Sequence, residues 1–114
     1  MLTWETLCRD WMASFNNRNP DAILPHLDEG FRWPTSQNAK DQGKSEGLKY
    51  ADMKDWALTA DVADGVYEST IHNGEDVLIG THFVTRKGDR YKVMGVAKIK
   101  DGKVYEYHHT MSPL

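Results

Sequence analysis

The sequence predicts an α+β fold in which three N-terminal helices pack on one face of a curved antiparallel sheet. Three observations carry that expectation. Up to Thr59 the apolar residues recur at helical spacing, and from Asp64-Gly65 onward the period changes to two. In that second half the runs are separated by Asn73-Gly74, Lys87-Gly88-Asp89 and Asp101-Gly102. Each suits a hairpin, because glycine accepts the positive φ that tight turns need. Helices first and strands afterwards, with no linker between, is an α+β plan and not an alternating one.

Thr3 is placed to cap a first helix running to about Asn17, with Trp4, Leu7, Cys8, Trp11 and Phe15 on one stripe and Glu5, Arg9, Asp10 and Ser14 opposite. Asn16-Asn-Arg-Asn19 ends it. Asn19-Pro20-Asp21 then opens a short second helix, with a cap, a proline at the first helical position and an acid in the first turn. Pro25 limits its length. Asp28-Glu-Gly30 reads as a turn, and Phe31-Arg-Trp33 as a short extended piece stopped by Pro34. The polar stretch from Thr35 to Gly47 reads as a surface loop and a candidate mobile rim.

A third helix is expected from Ser45 to about Thr59, with Tyr50, Met53, Trp56 and Ala57 on one stripe. Four strands follow, at Val66 to His72, Val77 to Arg86, Tyr91 to Lys100 and Lys103 to Met111. Leu78, Gly80, His82 and Val84 form the inward row of the second. Tyr91, Val93, Gly95, Ala97 and Ile99 share one face of the next, and in the last Tyr105, Tyr107, His109 and Met111 oppose Val104, Glu106, His108 and Thr110.

Composition narrows the function classes. With 114 residues, 39% hydrophobic and 27% charged, the chain is one domain spanning 1–114 with a single core. A net charge of −3, and no Lys/Arg cluster interleaved with aromatics, argue against nucleic acid as a partner. No apolar run approaches the length of a membrane span, and Met1-Leu-Thr-Trp-Glu5 lacks the features of a signal peptide, so no membrane and a cytoplasmic location are expected. The one cysteine, Cys8, excludes an internal disulfide, and on the apolar stripe it reads as a buried thiol and not a nucleophile. Four tryptophans in so short a chain predict an aromatic interior.

One phrase stands out. Asn19-Pro-Asp-Ala-Ile-Leu24, then His26-Leu-Asp-Glu-Gly-Phe-Arg-Trp-Pro34, a helix after Gly43, and a meander ending in Lys100-Asp-Gly-Lys-Val-Tyr-Glu106 resemble the nuclear-transport-factor-like cone, and within it the SnoaL-like and ketosteroid-isomerase-like branch. The resemblance implies a ligand-sized cavity between a concave sheet and the helices, and a dimer. Its members include isomerases, cyclases, dehydratases, hydrolases and pure binding modules, so it does not choose a reaction. The isomerase branch places a tyrosine in the first helix, a base aspartate after the second and an acid in the penultimate strand. In this chain those seats hold Trp11, Trp33 (or Pro34) and Gly95, which argues against steroid-type enolisation.

What chemistry remains centres on histidine. His82 and His109 fall on the expected inward faces, and a histidine near its ordinary pKa in an aromatic cavity is a candidate acid/base for cofactor-independent isomerase, cyclase or dehydratase-type proton transfer. The plainer alternative is that each is a half-buried strand residue bonded to a neighbour. Trp11, Trp33, Tyr50, Trp56 and Tyr107 are core residues that, in a cone, also line the ligand, expected to be a small apolar or aromatic molecule. No metal site is expected: His108 and His109 point to opposite faces, and His72, His82 and His109 would converge only if three registers cooperated. No Gly-rich phosphate loop, nucleophile elbow or Cys/His pair is present, so no cofactor is expected. The other readings are a non-catalytic ligand-binding module and a dimeric interaction module. A homodimer through the convex sheet face is expected, because Val77, Ile79, Phe83, Met94 and Val96 make that face apolar too.

Overall fold

A computed structural model describes all residues, 1–114. Thr3 caps helix α1 (Trp4–Asn16), its side chain accepting from the Thr6 amide at 3.2 Å. Asn19 does the same for a single 3₁₀ turn, Pro20–Ala22, and a second turn, Leu24–His26, follows directly. The proline therefore opens a pair of tight turns and not an α-helix, because Pro25 denies the next turn an amide donor.

Asp28-Glu-Gly30 is not a free turn. It lies inside strand β1 (Leu27–Trp33), which buries Leu27, Phe31 and Trp33 and pairs in parallel with the last strand of the chain. The expected turn survives as a local irregularity, in which the Gly30 amide donates to the Asp28 carboxylate at 2.7 Å.

Thr35 to Gly47 is likewise more than a surface loop. Ser36 caps a short helix α2 (Gln37–Asp41), and Ser36, Asn38 and Ala39 are buried. The third helix is shorter than expected. Ser45 to Lys49 forms a turn and the two-residue strand β2 (Leu48–Lys49), then a 3₁₀ turn (Tyr50–Asp52) leads into α3 (Met53–Thr59). Gly47 explains the break: its φ is +78°, and a Cβ there would lie 2.2 Å from the Trp33 carbonyl. Arg18, itself at φ +51°, caps the far end of α3 by donating to the carbonyls of Ala60 and Val62 at 2.8 and 3.0 Å.

The strands are β3 (Val62–Asn73), β4 (Val77–Arg86), β5 (Asp89–Lys100) and β6 (Lys103–Pro113). With β1 and β2 they make one six-stranded sheet ordered β2-β1-β6-β5-β4-β3. The sheet is mixed, since β1 runs parallel to β6 and all other pairs are antiparallel. Asp64-Gly65 is a bulge within β3 and not its start, with Asp64 at φ +52° and the register shifting between Ala63 and Val66. Asn16 at the end of α1 bonds this bulge in both directions, accepting from the Gly65 amide at 2.9 Å and donating to its carbonyl at 3.0 Å.

A second bulge corrects the face assignment of β6. Ile99 pairs with Val104 but Lys98 pairs with Glu106, so Tyr105 is the extra residue and both Val104 and Tyr107 turn inward. The helices cover the concave face, and the core between the layers is built from Trp4, Leu7, Trp11 and Phe15 of α1, Met53 and Trp56 of α3, and Leu78, Val84, Val93, Ala97 and Tyr107 of the sheet. Trp4 can reach the sheet because Gly80 and Gly95 face each other across β4 and β5. A Cβ at Gly80 would lie 2.0 Å from its indole nitrogen, and one at Gly95 would lie 2.6 Å from its ring.

Candidate functional site

Between α1, α3 and the concave sheet lies a cavity walled by Trp11, Trp33, Trp56 and Tyr107. The rings pack against one another first: Trp11 and Tyr107 have centroids 4.5 Å apart, Trp33 and Trp56 5.2 Å, and Trp11 and Trp33 5.3 Å. They fill most of the cone, and the enclosed space is about 40 Å³. That is well below the roughly 300–1,000 Å³ of an ordinary ligand pocket. Counted out through its open side the space reaches about 430 Å³, and half-exposed Gln37, His109 and Met111 stand at that opening.

The polar complement comes from β4, β6 and the helices. His82 and Arg86 extend from β4 on the same face as Val84, which separates them. Both are buried, and neither His82 Nδ1 nor Arg86 Nε has a hydrogen-bond partner; Trp56 Nε1 is in the same condition. The other end of the Arg86 guanidinium is occupied, donating through Nη2 to Asp41 at the end of α2. His109 accepts from Trp33 Nε1 at its Nδ1, at 2.9 Å, so the neutral ring carries its proton on Nε2. Its backbone amide donates to Thr35 Oγ1 at 3.0 Å.

Burial sets the protonation of both histidines. It pulls His82 down to about 4, and His109 down to about 4 as well, where the charges of His82, Lys40 and Arg86 add to the effect of burial. The expectation of histidines near their ordinary pKa is thereby corrected: at neutral pH both rings are uncharged. No carboxylate lines the cavity. Burial also pushes the Cys8 thiol up to about 12, which leaves it inert.

Trp11, Trp33, Trp56, Tyr107, His82 and His109 thus come together at one cavity, and Tyr50 does not. Tyr50 sits on the 3₁₀ turn ahead of α3, off the Met53–Trp56 stripe, and lines a separate shallow depression with Leu24, Pro25 and Lys103. Of the isomerase seats, Trp11 and Trp33 reach the cavity, Pro34 is exposed, and the place of a side chain at Gly95 is taken by the Tyr107 hydroxyl, 2.3 Å from where a Cβ would stand. His72 is exposed, and no group of three His, Cys, Asp or Glu side chains is placed to hold a metal ion. The residues the sequence reading passed over are Arg86, Asn38 and Gln37. For Arg86 a signal existed: it continues the row Leu78, Gly80, His82, Val84 by one more step of two.

Three helices laid across the concave side of a strongly curved sheet, closing an aromatic cavity, define the nuclear-transport-factor-2-like class of α+β fold, and this chain has that fold. An NTF-2 like protein of unknown function from Burkholderia xenovorans superposes with a TM-score of 0.72 at 16% identity, over 96% of this chain and 82% of the other. An NTF2-like protein of unknown function from Cytophaga hutchinsonii gives 0.66 at 14% identity, over 99% and 93%. A hypothetical protein with a ketosteroid isomerase-like fold from Catenulispora acidiphila, in complex with trimethylamine, gives 0.63 at 11% identity, over 96% and 86%. No family model and no curated protein matches the chain. No helix is long and apolar enough to cross a membrane.

Proposed function

We propose that the chain, as one nuclear-transport-factor-like domain over 1–114, is a SnoaL-like small-molecule-binding protein whose ligand enters the aromatic cavity past Gln37, His109 and Met111. One observation carries this reading: three residues that line that cavity, His82, Arg86 and Trp56, each hold a buried polar nitrogen without a protein partner. A structural core satisfies most such groups, because an unmade buried hydrogen bond is destabilising by about 1–3 kcal/mol. The one other here, Trp4 Nε1, is packed against Gly80 away from the cavity. The small enclosed volume limits the inserted part of the ligand to a few non-hydrogen atoms, with any larger apolar or aromatic part resting in the vestibule.

The decisive experiment uses the cavity tryptophans as reporters. Small organic molecules should produce saturable changes in intrinsic fluorescence, and Val84→Phe, which adds a ring to the cavity wall, should abolish them while the protein stays folded. Binding that survives Val84→Phe places the ligand elsewhere and defeats the reading.

Proton transfer by His82 and His109 is the second reading, favoured by the free Nδ1 of His82. A ring held neutral accepts protons weakly, so this reading requires a substrate whose proton is already acidic. Homodimerisation through the convex face is part of the same proposal. There Val77, Ile79, Phe83 and Val96 are half-buried and Met94 is 47% exposed.

A further inference from the structure

The cavity's unpartnered groups share a chemistry. Trp56 Nε1–H and Arg86 Nε–H can only donate hydrogen bonds. His109, with Nδ1 already accepting from Trp33, keeps its Nε2 proton as a donor too. His82 is the one group able to play either part. No carboxylate, and no carbonyl-bearing side chain except the amides of Gln37 and Asn38, stands among the lining residues to receive these protons. The local charge has the same sense. Arg86 and Lys87 both pair with the single carboxylate of Asp41, Lys87 at 3.1 Å and largely exposed, so two positive charges share one negative. Lys40, one residue before Asp41 on α2, adds to the positive field felt at His109.

From this we infer that the cavity is a receptor for the carboxylate group of a small monocarboxylate, held by Arg86 Nε, Trp56 Nε1 and a neutral histidine, with the organic tail directed out through the opening. The inference rests on the binding function proposed above and names the ligand class of that same site. Size agrees: about 40 Å³, where roughly 10–15 Å³ admits one water molecule, takes a group of a few heavy atoms and not an aromatic ring, which fills a cavity of about 150 Å³. The aromatic walls alone would equally suit an organic cation by cation–π attraction. The donors decide against it, since an organic cation has no acceptor to offer Arg86 Nε–H or Trp56 Nε1–H.

The test is an NMR titration of the ¹⁵N-labelled protein with acetate and butyrate, against acetamide as the neutral isostere and trimethylamine as the cation. The expected result is a saturable shift of the Trp56 indole and Arg86 Nε–H resonances with both carboxylates. The affinity should fall about ten-fold or more in Arg86→Gln and separately in Trp56→Phe, as loss of a charge-assisted hydrogen bond requires. Trp56→Phe keeps an aromatic ring in the wall, so it stays informative if Arg86→Gln loses its fold with its Asp41 pair. Saturable shifts from trimethylamine or acetamide but not from the carboxylates would overturn the carboxylate inference and leave the binding function standing. No response of the cavity tryptophans to any of the four would overturn both.

Discussion

Trp33 Nε1 donates a 2.9 Å hydrogen bond to Nδ1 of His109, joining residues 76 apart in the chain. The two side chains come from β1 and β6, the only parallel pair in the sheet, so the bond ties the N-terminal strand to the C-terminal hairpin. It also fixes the imidazole as the Nε2–H tautomer. Trp33→Phe should leave Nδ1 buried without a donor and lower stability by about 1–3 kcal/mol. Long-range ¹⁵N–¹H correlation should show one His109 tautomer in the wild type and a mixture in the variant. A wild-type ring protonated at Nδ1 would contradict the bond.

The pH dependence of stability follows from the two cavity histidines, His82 buried and His109 at the opening. Each has a folded pKa of about 4 against an ordinary value of 6.5. Between those values the unfolded chain binds more protons than the folded one, so stability is complete above about pH 6.5 and falls as the pH drops towards 4. Buried His82 contributes on the order of 3 kcal/mol over that window, and the half-exposed His109 less. The sum is not simply additive, because two charged rings at one cavity would also repel each other. Urea titrations across this range should show the decline, and His82→Gln with His109→Gln should flatten it. A stability independent of pH between about 4.5 and 7 would mean that the histidines are solvated.

Period-two alternation made the strand rows that line the candidate site legible. It placed His82 with Leu78, Gly80 and Val84, and His109 with Tyr107, and these rows do face the helices. What alternation cannot carry across is a bulge. The extra residue at Tyr105 flipped the expected side of Val104, and the one at Asp64-Gly65 looked like a strand's beginning. The two added strands were hidden for another reason. β1 is stabilised by pairing with a strand more than seventy residues later, and β2 is two residues long, so neither leaves a strong local pattern. Tyr50 misled because a helical stripe was extended through Gly47, where the backbone turns into β2.

Trp4 and Gly80 form a matched pair. The indole nitrogen occupies the place a Cβ would need, 2.0 Å away, and Gly95 across the strand leaves room for the rest of the ring. Gly80→Ala should therefore destabilise by about 1–3 kcal/mol through overpacking. In Trp4→Phe the smaller ring frees that space, so the added methyl should be much less harmful there than in the wild type. Equal and additive effects of the two substitutions in thermal melts would show that the contact is not tight.

The cavity's chemistry also predicts an inactivity. Enolising a 3-ketosteroid needs a carboxylate-strength base on the substrate's face and an acid on its oxygen. Here no carboxylate lines the cavity, neither Trp33 nor Pro34, the residues aligned with the base seat, is a base, and the enclosed 40 Å³ cannot take a steroid ring. Purified protein should not isomerise a Δ5-3-ketosteroid above background. Should a related proton transfer be found, His82→Ala or His109→Ala ought to slow it about a hundred-fold or more. Robust steroid isomerisation would require the tryptophan cluster to open, which fluorescence during turnover would reveal.

Dimerisation is the remaining prediction, and it turns on the sheet's convex face. Across that face Val66, Phe83 and Lys92 stand in register, as do Thr81, Met94 and Thr110, and Ile79, Val96 and His108. Val66 and Met94 are 52% and 47% exposed, and the helices are all on the other side. An open apolar band of this kind favours association. Its charges are already matched within the chain, Lys92 with Glu68 at 3.2 Å and Lys98 with Glu106 at 3.0 Å, so a second copy meets a face without net repulsion. A two-fold arrangement would cover both bands with one self-complementary surface and leave the lysine heads at its wet rim. Phe83→Asp should split that dimer by burying two carboxylates, and because Phe83 is only half-buried in one chain, the variant should remain folded. Met94→Lys, in the middle of the band, should act in the same direction. Sedimentation at micromolar concentration distinguishes the cases: the wild type should run at twice the 13.0 kDa chain mass and both variants at that mass, and a monomeric wild type would mean that the convex face carries no dimer.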